Sequence, residues 1–271
     1  MRRTWLVLVL LATCLAIGVV AAYSWIWVSG GSATPSTPIT APRLRPANDS
    51  PEPGKTVPVN ELPKTSSSKP SAKSPRTTAR QTANTTASGQ QLYRVTPEES
   101  EVRYIIDEIK RGQPTTVVGT TNQIAGDILI DSNNPSASKV GTLRINVRTL
   151  RTDEERRDRA TRSRILQSAQ AEYEFVEFSP TDIGGLPAAI ELGIPIALEI
   201  NGQLTVRDIT HPVSFKTTVT LVSAQRLEGH AVTTIRRSDY DLVIPSVPFI
   251  ADVSDDVRLE IDFVATLANS G

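Results

Sequence analysis

The sequence predicts an all-β domain over residues 91–271, with antiparallel strands closed into a barrel or stacked as a sandwich. Three observations carry this. Apolar residues recur at every second position in at least eight short runs. Each run has one apolar and one polar face, the mark of antiparallel pairing, whereas parallel strands covered on both sides read as unbroken apolar runs. Turn-forming clusters separate the runs, namely Ser132-Asn133-Asn134-Pro135, Gly184-Gly185 and Asn201-Gly202.

Two segments precede this domain. From Trp5 to Val28 there are 24 residues without a charge, behind Arg2 and Arg3. That length exceeds the ~20 residues needed to span a bilayer. Residues 1–28 are therefore expected to be a transmembrane anchor, with the positive end cytoplasmic and the C-terminal domain extracytoplasmic. Tyr23, Trp25 and Trp27 suit the far interface. Two processing routes compete with a retained helix: signal-peptidase cleavage after Val20-Ala21-Ala22, and a lipoprotein box at Leu11-Ala12-Thr13-Cys14, where Thr13 fits poorly. All three place the remainder outside the cytoplasm.

Residues 29–90 hold ten of the nineteen prolines, many Ser and Thr, and few large apolar side chains. Such a composition cannot bury enough apolar surface to offset the entropy of ordering it. The segment reads as a disordered linker, whose 62 residues would span roughly 40–45 Å as a random coil.

Within the domain, Val102, Tyr104 and Ile106 alternate with Glu101, Arg103 and Asp107. Ile124, Gly126, Ile128 and Ile130 share one face, as do Leu143, Ile145 and Val147. Further runs follow at Ile196, Leu198 and Ile200, at Leu204 and Val206, and at Val213, Phe215, Val219 and Leu221. The last run, Val257, Leu259, Ile261 and Phe263, is the clearest. One helix interrupts the sheet: Thr152 before Asp153-Glu154-Glu155 forms a capping box with acids at the positive helix end, and Arg156 to Gln167 continue it. Its five arginines, Arg156, Arg157, Arg159, Arg162 and Arg164, read as a solvated face paired with acids, with an anion-binding patch as the alternative.

Charge and chemistry narrow the function. The chain has no net formal charge, yet residues 91–271 carry nineteen Lys/Arg against twenty-six Asp/Glu. An acidic domain argues against a nucleic-acid partner. Cys14 is the sole cysteine, so no intrachain disulfide exists. The two histidines, His211 and His230, stand in separate runs, and no HExxH, GxSxG or glycine-rich phosphate loop occurs. No enzyme, metal or cofactor is expected, and binding is the default reading.

Five segments, in order, resemble the YceI-like family of lipid- and polyisoprenoid-binding proteins over most of residues 92–267. They are Tyr93-Arg94-Val95-Thr96 with Ser100-Glu101-Val102-Arg103-Tyr104; Val118-Gly119 with Gly126-Asp127-Ile128 and Asp131; and Ile145 to Leu150 leading into Thr152-Asp153 and Arg157-Asp158. The fourth is Gly202-Gln203-Leu204-Thr205-Val206 with Thr210-His211-Pro212-Val213, and the fifth is Ile235-Arg236-Arg237-Ser238-Asp239-Tyr240. Three positions depart from the family pattern: Asp208 replaces a glycine, Glu174 a proline, and Ala160-Thr161 a His-Leu pair. The first two imply local changes of geometry, and the third bears on the barrel entrance.

The resemblance implies an eight-stranded antiparallel lipocalin-like barrel, whose interior holds a long-chain isoprenoid or other lipid for carriage, sequestration or sensing at the cell envelope. A barrel of eight strands either fills with side chains or holds one slender ligand. The inward-parity residues Ile128, Ile130, Ile145, Val147, Phe175, Phe215 and Phe263 would line that cavity. The alternative is a closed core in a structural or interaction module of the envelope.

Overall fold

The computed structural model of the chain describes residues 31–44, 89–246 and 250–268. The expected anchor over residues 1–28 lies outside the described residues, as does most of the expected linker. No helix among the described residues is long and apolar enough to cross a membrane.

The alternating runs form strands, thirteen in all among the described residues. They are β1 (Gln90–Val95), β2 (Glu101–Lys110), β3 (Gln113–Thr121), β4 (Ile124–Ala125), β5 (Asp127–Asp131), β6 (Lys139–Val140) and β7 (Leu143–Asn146). After the helical insertion come β8 (Phe175–Gly184), β9 (Pro195–Val206), β10 (Ile209–Ser223), β11 (Arg226–Arg236), β12 (Ile250–Ala251) and β13 (Asp256–Leu267). All pair antiparallel in one sheet of order β4-β7-β8-β9-β10-β11-β13-β1-β5-β6; β2 lies against β13, β3 and β12. The path leaves from β4 and returns to β5, its immediate successor in the chain, so the sheet is strongly curled. Its inner face carries the hydrophobic core, including Tyr93, Ile124, Phe178, Leu204, Phe215, Leu227 and Ile261.

Thirteen segments stand where eight strands were expected, partly because glycines divide longer runs. Gly126 separates β4 from β5, and a Cβ there would meet the Leu143 side chain at 2.4 Å. β6 and β7 are divided at Gly141-Thr142, where a Cβ on Gly141 would meet Leu44 at 3.0 Å and the Asp127 carbonyl at 3.1 Å. Two expected turns stand, Ser132 to Pro135 after β5 and Gly184-Gly185 at the end of β8, with Gly185 at φ 85°, and one is absent. Asn201-Gly202 lies inside the twelve-residue β9, and its glycine makes room for a neighbouring strand: a Cβ would stand 2.6 Å from the Ser179 carbonyl and 2.7 Å from the Phe178 ring. The turn into β10 is Arg207-Asp208, with Arg207 at φ 55°, so His211-Pro212 lies within the strand. Leu143, Ile145 and Val147 do not form one run, since β7 ends at Asn146 and Val147–Thr149 is a 3-10 turn.

The interrupting helix is shorter than expected. α1 (Glu155–Ala160) continues as a π-helical turn, Thr161–Ile165. Thr152 does not cap it in the expected box. Instead its N–H and hydroxyl donate to Asp158 Oδ1 at 2.9 and 2.7 Å, and its hydroxyl accepts from the Glu154 N–H at 3.2 Å. Arg157 pairs with Asp153 and Glu108, and Arg159 with Glu155, as expected of acid-paired arginines, but the face is not wholly solvated, since Arg162 is buried.

Candidate binding cavity

The curled sheet encloses a cavity of about 80 Å³. At ~10–15 Å³ per water-sized sphere this holds roughly five to eight such spheres, a slot suited to something slender. Its walls include Ile128 and Ile130 on β5, Leu198 and Ile200 on β9, Phe215 and Val219 on β10, Ala231 on β11, Ile261 and Phe263 on β13, and Phe178 and Ile183 on β8, where a register shift between Pro180 and Asp182 changes the parity. Period-two geometry places such residues on one face. Only Ser138, Lys139 and Thr217 interrupt an otherwise apolar lining.

Glycine opposite an aromatic ring shapes two walls. Gly229 on β11 faces Phe263 on β13, and a Cβ would sit 2.3 Å from that ring. Gly202 does the same for Phe178, whose ring meets Phe215 edge-on with centroids 4.9 Å apart. At one end the lining passes from strands to connections. Leu186 and Ile190, between β8 and β9, and Ser138 before β6 lie there beside the exposed Lys139.

Four of the seven expected lining residues, Ile128, Ile130, Phe215 and Phe263, stand together in this wall. The other three do not. Ile145 and Val147 are buried in the core but away from the cavity. Phe175 packs under the Arg144 guanidinium, 4.1 Å from its ring centroid. Missed lining residues such as Leu198, Val219 and Ile261 belong to runs whose alternation marked them, whereas Leu186 and Ile190 have no periodic signal. His211 Nε2 lies 2.8 Å from the Asp239 carbonyl, and His230 Nδ1 2.7 Å from Asp262. Neither lines the cavity.

A second, polar cluster lies at the start of β8. Glu174, fully buried, accepts from the Asn146 amide at 2.7 Å and pairs with Arg148 at 3.1 Å. Arg148 also donates from Nε to the Ser168 carbonyl at 2.7 Å, and from NH2 to the carbonyls of Ala169 and Gln170 at 3.3 Å. From the N-terminal segment, the Ser36 N–H donates to Glu174 at 2.9 Å and the Ser36 hydroxyl donates to its other oxygen. Burial alone would raise the pKa of Glu174. The hydrogen bonds from Ser36 and Asn146 and the charge of Arg148 outweigh it and hold the carboxyl below its ordinary value. The other departing turn residue, Asp208, accepts from the Tyr173 hydroxyl at 2.6 Å.

The chain is similar to several solved structures. A polyisoprenoid-binding domain from Saccharophagus degradans, implicated in plant cell wall breakdown, superposes with a TM-score of 0.52 at 14% identity, over 65% of this chain and 98% of its own. BcnA from Burkholderia cenocepacia gives 0.48 at 18% identity, over 64% and 99%, and the YceI protein of Campylobacter jejuni 0.44 at 15%, over 56% and 85%. No curated protein matches. The YceI-like domain family matches residues 93–265, more than half of the sequence, and it takes in β2 to β12 whole, the second half of β1 and all but the last two residues of β13. The chain belongs to the YceI-like family.

Proposed function

We propose that the domain binds the hydrocarbon chain of a lipid inside its curled sheet, non-covalently and without chemical conversion, and that an isoprenoid is the ligand class. The observation that carries this is the cavity lining, apolar from the Phe178–Phe215 contact to Leu186 and Ile190. The antiparallel sheet curls strongly around that cavity, whose size admits one slender ligand. Each methylene transferred into it gains about 0.8 kcal/mol before ordering costs. The polyisoprenoid-binding relative supports the choice of ligand class. Lys139, the one charged lining residue, stands where an anionic headgroup would emerge. Residues 5–28 would anchor the chain in a membrane, with the domain on its exported side.

Solvent extraction of the purified chain, followed by mass spectrometry, tests the reading. A stoichiometric prenyl or acyl lipid is expected. A protein that carries no lipid and takes up none when offered a long-chain isoprenoid contradicts it. That result would favour the second reading, a closed structural core, for which the small volume of the cavity speaks.

A further inference from the structure

Residues 29–90 look like a stalk by composition, yet the part the structure describes lies against the domain. A Cβ on Gly31 would stand 3.2 Å from Ala169; Ser36 binds Glu174; and the Leu44 N–H donates to Asp127 Oδ2 at 3.2 Å while its side chain covers Gly141. Residues 31–44 contain no helix or strand, and Pro35, Pro38 and Pro42 favour an extended course. Asp127 and Glu174 are both buried, and each accepts a backbone N–H from this segment. The Glu174 end of the contact falls where this sequence departs from the family's proline. Proline at that position could offer no carboxylate.

The far end of the presumed stalk returns to the same strand. Gly89 accepts from the Ser132 N–H at 3.0 Å, and Gln90 pairs with Asp131. Leu44 and Gln90 thus meet the two ends of β5, at Asp127 and at Asp131, about 14 Å apart at strand spacing.

We infer that residues 31–44 are a docked strap of this domain, which holds it close against the bilayer with the Ala169 end inward and the Leu186–Ile190 end of the cavity outward. The inference rests on the anchor reading of residues 5–28. Only residues 29 and 30 separate Val28 from Gly31, so the strap begins within about 11 Å of the end of the apolar stretch, against roughly 40–45 Å for a free stalk. The orientation follows from β8, which runs from Phe175, next to Glu174, to Gly184, about 30 Å at strand rise, before the connection that carries Leu186 and Ile190. The domain would then exchange lipid on the side away from its own membrane.

The test uses the full chain with Cys14→Ser, in phosphatidylcholine–phosphatidylglycerol vesicles. Amide hydrogen exchange at Ser36 and Leu44 should be slowed at least about tenfold relative to unprotected peptide. A dye on Ala171→Cys should be quenched by a headgroup-quencher lipid, and one on Leu192→Cys should not. Ser36→Pro with Leu44→Pro removes both backbone strap donors without touching the sheet, and should abolish the difference between the dyes. Unprotected exchange at Ser36 and Leu44 in a domain whose β9–β11 amides remain protected overturns the strap. Equal quenching at both dyes, or stronger quenching at residue 192, overturns the orientation. Failure of the chain to float with the vesicles overturns the anchor reading, and with it the orientation, whereas the exchange result still judges the strap.

Discussion

The cavity wall and the Glu174 cluster sit at two ends of β8 and are built on opposite principles. The wall gains its stability from apolar area and shape: Phe178 and Phe263 fit because Gly202 and Gly229 leave space for their rings. The cluster buries a carboxylate, a guanidinium and an amide, and is stable only while each has its partner. A wall of this kind tolerates being parted by another apolar group of the right width. A buried ion pair does not tolerate loss of one member. The domain therefore combines an adaptable interior with a rigid end.

The largest effect should come from the wall. Phe178→Ala removes a ring that is 2% exposed and should cost about 3–5 kcal/mol in urea unfolding. Glu174→Ala strands Arg148 and Asn146 and should cost about 3 kcal/mol, the lower end for a broken buried pair, because Arg148 keeps its bonds to three carbonyls. A wall variant and a cluster variant of similar cost should differ in function, since only the first changes lipid uptake. Gly229→Ala drives a methyl group into Phe263 and should cost roughly 1–3 kcal/mol while narrowing the cavity.

Acid separates the two regions further. The Glu174 pKa is lower in the folded chain than its ordinary 4.5, so its contribution is fully present above that value and lost as pH falls through the folded value. Between about pH 6 and about pH 3 the wild-type chain should lose more stability than Glu174→Gln, measured by unfolding at each pH, whereas Phe178→Leu should track the wild type. The smallest effect is at Lys139. Lys139→Gln should weaken binding of an anionic prenyl lipid about two- to fivefold, since an exposed charge contributes under ~1 kcal/mol, and leave a neutral prenyl alcohol unchanged.

The wall was legible in the sequence and the cluster was not, for a physical reason. Period-two alternation reports which residues of a run share a face, so Ile128 and Ile130, Phe215, and Phe263 could be given inward parity, and the barrel implied by the family resemblance brought them together. Alternation does not report where a strand stops. Ile145 and Val147 share a parity, but the chain leaves the sheet after Asn146, whose side chain accepts from the Arg148 N–H at 3.1 Å and starts a 3-10 turn. Gly202 misled in the same way, because a glycine that relieves a close approach looks like a glycine that makes a turn. The Glu174 cluster joins Ser36, Asn146, Arg148 and Glu174, and no local pattern connects positions so far apart in the chain. Its one trace in the sequence was the departure at residue 174.

The central claim is that the cavity holds a lipid chain, and methyl NMR of the chain with an added long-chain isoprenoid tests it most directly. Intermolecular contacts from the ligand to the methyl groups of Ile128, Val219 and Ile261 are the predicted result. Contacts confined to the exposed Leu192 and Ile194, or none at all, would contradict it.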